Sequence, residues 1–205
     1  MDIKECEKWK QWRQAAIVWF IVSLVLFAGM VAFEIQNQDT MDELDQYTTF
    51  TDYYFRATAV AMQASDIDEM ANSNADLASS YYDASDFEKV MYYSKLAEDQ
   101  YNTAAYKYKT AATLYEKAYE TAPEEYKELM QKYTEIYESA VKCDNYLHES
   151  QEYLYSAANA YATDQWDYGD TQIEEYNKKI TAHDLEIEHY QKIYSEIEAL
   201  LSSGV

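Results

Sequence analysis

Three stretches of the chain repeat apolar and small side chains at alternating steps of three and four residues. In the first stretch the positions are Ala97, Tyr101, Ala104, Tyr108, Ala111, Tyr115 and Ala118. In the second they are Leu129, Tyr133, Ile136, Ala140, Cys143, Leu147, Ser150, Leu154, Ala157 and Tyr161. In the third they are Ile173, Tyr176, Ile180, His183, Ile187, Tyr190, Tyr194, Ile197 and Leu201. A mean step of about 3.5 residues predicts helices that pack along one line of contact, here called the seam, as in coiled coils and bundles.

Residues that break helices are rare in the chain. Three Gly and one Pro in 205 residues favour long helices and argue against a β-sandwich or barrel. Three pairs fit the capping box, in which a hydroxyl residue is followed three positions later by Glu: Ser85 and Glu88, Thr121 and Glu124, Thr171 and Glu174. They predict helix starts near residues 86, 122 and 171, and Gly169 is interpreted as the end of the preceding segment.

A further helix is expected before Ser85, with a less regular pattern. We expect it to bury Met41, Leu44, Phe55, Met62, Leu77 and Tyr81, with a break near Ser65 or Asp66. The predicted fold is all-α: a single N-terminal transmembrane helix that continues into an elongated antiparallel four-helix bundle with coiled-coil-like packing. The predicted helices cover about residues 40–84, 86–120, 122–164 and 171–201.

The N-terminal region contains an uncharged apolar segment at residues 15–33. At ~1.5 Å per residue its length is roughly 28 Å, close to the hydrocarbon thickness of a bilayer. The tryptophans near its start are typical of a membrane interface: Trp9, Trp12 and Trp19. Four basic residues precede the segment, namely Lys4, Lys8, Lys10 and Arg13, whereas residues 34–46 directly after it contain none. The positive-inside rule therefore predicts a cytoplasmic tail at 1–14, a span at 15–33 and an extracytoplasmic domain at 34–205.

A cleaved signal peptide and a prepilin-like anchor are the competing interpretations of this segment. The apolar core of a signal peptide usually has about 7–15 residues and is followed by a small-residue cleavage site. The longer run here favours an uncleaved signal anchor in the cytoplasmic membrane. Cys6, beside the segment, is a candidate for acylation.

The charge of the chain is strongly acidic. Removing the three acidic and four basic residues of the tail from the totals of 38 and 16 leaves 35 and 12, a net charge of −23. Nucleic acid is not expected as a partner, because binding phosphates needs clustered Lys and Arg. The acidic surface is instead a candidate for solvation and for cation binding.

Few residues suggest chemistry. Glu186 and His189 form one Glu-x-x-His pair, which is half of a di-iron carboxylate motif, so they are the only metal-ligand candidates. His183 occupies a seam position and is a candidate for pH-sensitive packing. Cys143, also on the seam, is expected to pack as a small apolar side chain. We expect no catalytic residues and no cofactor, hence no enzyme.

The sequence favours a non-enzymatic membrane protein that contacts another membrane or surface protein, or itself, as an accessory subunit or scaffold. One alternative is a sensory bundle that binds a small molecule near Ser150 and His183. An anchor followed by four helices resembles, in layout, the outer sensory module of bacterial chemoreceptors. The other alternative is a subunit of a surface filament or surface layer.

Overall fold

Four long helices account for almost all of the residues described by the computed structural model, which are residues 41–203. They are α1 (Met41–Asp83), α2 (Phe87–Thr121), α3 (Glu124–Ala162) and α4 (Trp166–Ser203). This part of the chain contains no strand, and its helices pack together as predicted. With 35 to 43 residues each, the helices are about 52–64 Å long. The bundle forms one compact unit that begins at Thr49.

Consecutive helices run antiparallel. The Asn74 side chain of α1 donates to the Gln100 amide oxygen of α2 at 2.8 Å, and the Thr58 and Tyr115 hydroxyls lie 2.9 Å apart. As the residue numbers of these contacts rise along α1, from 58 to 74, those of their partners on α2 fall from 115 to 100. Short connections enforce this order, because a helix that follows a tight turn packs back on its predecessor.

Alanine and tyrosine fill the core, and the seams of α2 and α3 are confirmed. All seven predicted seam residues of α2 are buried, and so are those of α3 except Leu147, which is half-buried. The ring of Tyr115 stacks on those of Tyr133 and Tyr137, with centroids 5.0 and 5.3 Å apart. Small alanines next to these rings let large and small side chains interdigitate.

The predicted interior of α1 is wrong. Its buried apolar residues are Phe50, Tyr54, Ala57, Ala61, Ala64, Ala71 and Ala78. Met62 and Leu77, which we expected in the core, are 46% and 38% exposed. The helix also continues without a break through Ser65 and Asp66. The reason is volume: from Ala57 onwards the tyrosines of the other helices occupy the interior, so that face of α1 is lined mainly with alanine.

The fourth helix is the least buried. Only Gly169, Ile193 and Ile197 of α4 are buried, whereas α3 has sixteen buried residues. The predicted seam of α4 does face the bundle, but every seam residue except Ile197 is only half-buried. Polar contacts hold α4 to α3: ion pairs join Lys132 to Glu196 at 2.9 Å and Lys179 to Glu149.

The α1–α2 and α3–α4 turns share one geometry. Ser85 and Asp164 have φ angles of 57° and 60°, in the left-handed region where glycine usually ends a helix. The residue after each donates its N–H back to the last turn, from Asp86 to Tyr81 O at 3.0 Å and from Gln165 to Ala160 O at 2.9 Å. Both turns are thus Schellman motifs, and they close two equivalent helical hairpins at the same end of the bundle.

The three predicted capping boxes do not form. Asp86 caps α2 instead of Ser85: its carboxylate accepts the Lys89 N–H at 3.3 Å. Thr121 is the last residue of α2, and Thr171 lies inside α4. The hydroxyls of both threonines donate to carbonyls four residues earlier in their own helices. The capping-box pattern gave a wrong prediction here because a Thr hydroxyl can also form a hydrogen bond with a backbone carbonyl inside a helix. Helix α4 therefore begins at Trp166 and not at 171.

The predicted membrane segment, residues 15–33, lies outside the described residues. So do the tail at 1–14 and Cys6. Among residues 41–203, no helix has a stretch that is long and apolar enough to cross a bilayer.

Candidate functional site

The outer side of α1 carries exposed apolar side chains that the bundle does not use. Met62, Met70 and Leu77, here called the α1 face, are 46%, 57% and 38% exposed. At 3.6 residues per turn they fall within about 80° of one another around the helix axis. Their side of α1 is opposite to the buried alanines, so they form one outward surface.

Exposed aliphatic side chains are concentrated on this helix. Four of the five exposed Leu and Met residues within the described part of the chain are on α1, and the fifth is Leu185 of α4. Asp66 is exposed on the same side and places a carboxylate between Met62 and Met70. Methionine is enriched in protein interfaces because its flexible, polarisable side chain adapts to its partner. This arrangement suits contact with an apolar surface that also carries basic groups.

The second feature is a cavity at the end of the bundle where the two turns meet. It has a volume of about 280 Å³ and is called here the aromatic end cavity. Its lining residues come from both hairpins: Tyr82, Ser85, Phe87, Tyr161, Trp166 and Asp170. The Tyr161 ring lies 5.4 Å from the Phe87 ring and 5.3 Å from the Trp166 ring, centroid to centroid. The equivalent turns thus bring aromatic rings from two hairpins into one cluster.

Tyr161 is fixed at the base of this cavity. Its hydroxyl donates to Asp170 Oδ1 at 2.8 Å. Burial first, and then the hydrogen bonds with Asp170 and Tyr82, raise the pKa of Tyr161 well above its usual value, so it remains a donor.

Gly169 makes room for the Tyr161 ring. A Cβ placed on Gly169 would lie 2.4 Å from Cε1 of that ring, a distance at which atoms overlap. Glycine inside a helix costs about 1 kcal/mol relative to alanine, and here the close approach of the ring explains its presence. Gly169 therefore marks a packing contact and not the break interpreted from the sequence.

The cavity residues were not predicted, although the sequence contains a signal for them. In each turn an aromatic residue precedes the left-handed residue by three positions and another follows it by two. Tyr82 and Phe87 flank Ser85, and Tyr161 and Trp166 flank Asp164. Without glycine at the turn, this similarity between the two hairpins is easily overlooked.

Of the two metal candidates, Glu186 contacts α3. Glu186 accepts a hydrogen bond from the Ser139 hydroxyl at 2.6 Å and lies 3.5 Å from Lys142 Nζ. His189 is exposed. Across residues 41–203 no group of three or more His, Cys, Asp and Glu side chains is arranged to hold a metal ion. Glu186 instead helps to attach α4 to α3.

His183 and Ser150 occupy their expected seam positions. His183 is half-buried, and burial lowers its pKa although Asp184, with its carboxylate 3.2 Å from Nδ1, opposes that shift. The Ser150 hydroxyl is buried and donates to the Leu147 carbonyl at 2.7 Å. Neither residue lines the aromatic end cavity, so the pocket predicted beside them is not the cavity described above.

Cys143 is a buried free thiol. Burial, followed by the nearby carboxylates of Glu186 and Asp144, raises its pKa to about 12. Such a thiol is protonated at neutral pH and packs as a small apolar group.

The comparisons with known proteins identify no relative. No family model, curated protein or solved structure matches the chain. Function must therefore be inferred from the two surface features and from the sequence itself.

Proposed function

We propose that the chain is a non-enzymatic, single-pass membrane protein whose helical bundle lies outside the cytoplasmic membrane. In this proposal the bundle binds another protein through the α1 face, as an accessory subunit or scaffold. The observation that carries the proposal is the outward exposure of Met62, Met70 and Leu77 on a helix whose core side is mostly alanine.

Energetics support a binding role for this face. Three large side chains on one exposed face lose the free energy of burial that a core position would provide, about 1.5–3 kcal/mol each. Small alanines on the opposite side satisfy the packing of the bundle, so the methionines are not needed there. A partner that covered the face would recover this free energy.

The sequence supports the membrane placement. The uncharged segment at 15–33 has the length of a span, and four basic residues lie directly before it whereas residues 34–46 after it contain none. Helix α1 is the first described helix after this segment in the chain. The α1 face would then lie on the first helix outside the membrane, accessible to another membrane protein.

Site-specific photo-crosslinking in the native membrane tests the contact. A benzophenone amino acid is placed at Met62 or at Met70 in the full chain. The matched control is Tyr106, which is 73% exposed on α2 and outside the α1 face. We expect a discrete crosslinked product from the two α1 positions and none from the control.

The mass of the product distinguishes the two forms of the proposal. A second polypeptide indicates an accessory subunit, and a second copy of the chain indicates a scaffold built by self-association. Met70 is exposed, so a Met70→Glu variant is expected to fold. With the benzophenone amino acid at Met62, this variant should lose the crosslinked product. If the α1 positions give only uncrosslinked chain, or the same products as Tyr106, the proposed contact is wrong.

Membrane placement needs its own test. Single cysteines are introduced as Gln11→Cys and Ser203→Cys in a Cys6→Ser, Cys143→Ala background and treated with a membrane-impermeant maleimide in intact cells. We expect labelling of the Ser203→Cys variant at once and of the Gln11→Cys variant only after permeabilisation. The reverse pattern, or labelling of both in intact cells, would contradict the proposed topology.

A further inference from the structure

The geometry points to a small-molecule site beyond the protein contact proposed above. We propose that the aromatic end cavity binds a small quaternary ammonium cation, with choline-like compounds as the ligand class. The cavity is lined by four aromatic rings and one carboxylate, that of Asp170, and has a volume of about 280 Å³.

The chemistry of the lining selects a cation. Aromatic faces carry negative electrostatic potential and attract cations, and quaternary ammonium groups are recognised in this way. The rings are Tyr82, Phe87, Tyr161 and Trp166, and none of the lining residues is Lys or Arg. Acidic residues surround the two turns: Asp83, Asp86, Asp164, Asp167 and Asp170. An anionic ligand would find no positive charge in the lining.

A lysine ammonium group near the cavity already forms a cation–π contact. The Lys89 Nζ lies 4.5 Å from the centroid of the Tyr81 ring and 2.8 Å from the Asp86 carboxylate. Ring and carboxylate together thus hold a cation at this end of the bundle. The cavity repeats the combination with Trp166 and Asp170, and its described lining residues include no Lys or Arg.

Size and shape restrict the ligand. Sites for drug-sized ligands usually have about 300–1,000 Å³, so this cavity suits a smaller molecule. Trp166 is 55% exposed at the cavity, whereas Tyr161 is held at the base by its hydrogen bond to Asp170 and by Gly169. One wall is therefore fixed before binding, while the side with Trp166 is open for entry.

Ligand-detected NMR of the full chain tests the site. Choline chloride is titrated into the protein in dodecyl maltoside, a detergent without N-methyl groups, and binding is followed at the choline methyl signal. The control ligand is 3,3-dimethylbutan-1-ol, which has the shape of choline without its charge. Sodium chloride is held constant to screen non-specific attraction to the acidic surface. We expect saturable binding of choline with a dissociation constant on the order of 1 mM and no saturable binding of the alcohol.

Paired variants locate the site. Trp166→Ala and Asp170→Asn should each weaken choline binding about 10-fold, since one removes a ring and the other a charge. Tyr168→Ala and Asp167→Asn, exposed in the same segment but outside the cavity lining, should leave the affinity unchanged. Circular dichroism confirms that each variant is folded. Absence of saturable choline binding, equal binding of the alcohol, unchanged affinity in either cavity variant, or equal losses in the controls would each overturn the proposal.

Discussion

The hydrogen bond between Thr58 and Tyr115 offers a quantitative test of how the core is held together. Both residues are buried, at 3% and 0% exposure, and their hydroxyl oxygens lie 2.9 Å apart between α1 and α2. The Tyr115 ring stacks on Tyr133 and Tyr137, so it cannot swing to another partner without breaking these contacts. The pair therefore suits a double-mutant cycle of Tyr115→Phe and Thr58→Val.

The expected magnitudes follow from the asymmetry of buried hydrogen bonds. Either single substitution leaves one buried hydroxyl without this partner and should lower the free energy of unfolding by about 1–3 kcal/mol. The double variant replaces both hydroxyls by apolar groups of similar shape and should lose less than the sum of the singles. We therefore expect a coupling free energy of about 1 kcal/mol or more.

Urea unfolding of the full chain in one detergent, followed by circular dichroism, measures the free energy of unfolding of the parent chain, the two single variants and the double variant. Thr113→Val is the matched control because Thr113 is exposed on α2. It should change stability by no more than about 0.5 kcal/mol. If the two singles add within about 0.5 kcal/mol, the hydroxyls do not interact and the described core geometry is wrong at this layer.

Three further predictions concern protonation and packing. Burial raises the pKa of Tyr101, Tyr108, Tyr115 and Tyr133, so the folded state retains their protons above pH 10 while the unfolded state releases them. Stability should fall as pH rises above about 10, and absorbance at 295 nm should show these tyrosines ionising only with unfolding; their ionisation in the folded protein would contradict this. Burial lowers the pKa of His183, so the unfolded state binds the proton more readily and stability should fall as pH drops below about 6.5. Thermal unfolding between pH 5 and 8 should show a smaller loss for His183→Leu, and an equal loss would exclude His183 as the cause. Gly169→Ala places a methyl group 2.4 Å from the Tyr161 ring and should destabilise the fold by about 1–3 kcal/mol, despite the better helix propensity of alanine. A stability in urea equal to or above that of the parent chain would show that the ring is free to move.

Spacing alone predicted the parts of the fold in which large side chains face inward. The seams of α2 and α3 alternate Tyr, Ile or Leu with Ala, so the buried line is visible in the sequence. In α1 the buried line is mostly Ala, whereas Met62, Met70 and Leu77 face outward. The most hydrophobic side of α1 is therefore not its buried side, because alanine contributes little apolar surface even where it packs best.

Predictions from local sequence patterns were wrong where the same residues are compatible with two local structures. Ser85 precedes Asp86, and the carboxylate takes the capping position while Ser85 adopts the left-handed conformation that ends α1. Gly169 was interpreted as a helix break, but it lies inside α4 and makes room for the Tyr161 ring. The spacing of the aromatic residues around each turn is visible in the sequence, but the aromatic end cavity combines residues from both hairpins, so its assembly depends on tertiary packing.

The two equivalent hairpins have a consequence for how the chain could be divided. Tyr176 and Tyr190 of the second hairpin pack against clusters whose buried members come from both hairpins, among them Ala78 and Ala64 of the first. Two copies of the same hairpin would not reproduce these clusters, because each cluster needs buried residues from both hairpins. Severed at the Ala122–Pro123 connection, the halves should therefore recombine only as unlike pairs, which would make this bundle a natural scaffold for a split reporter.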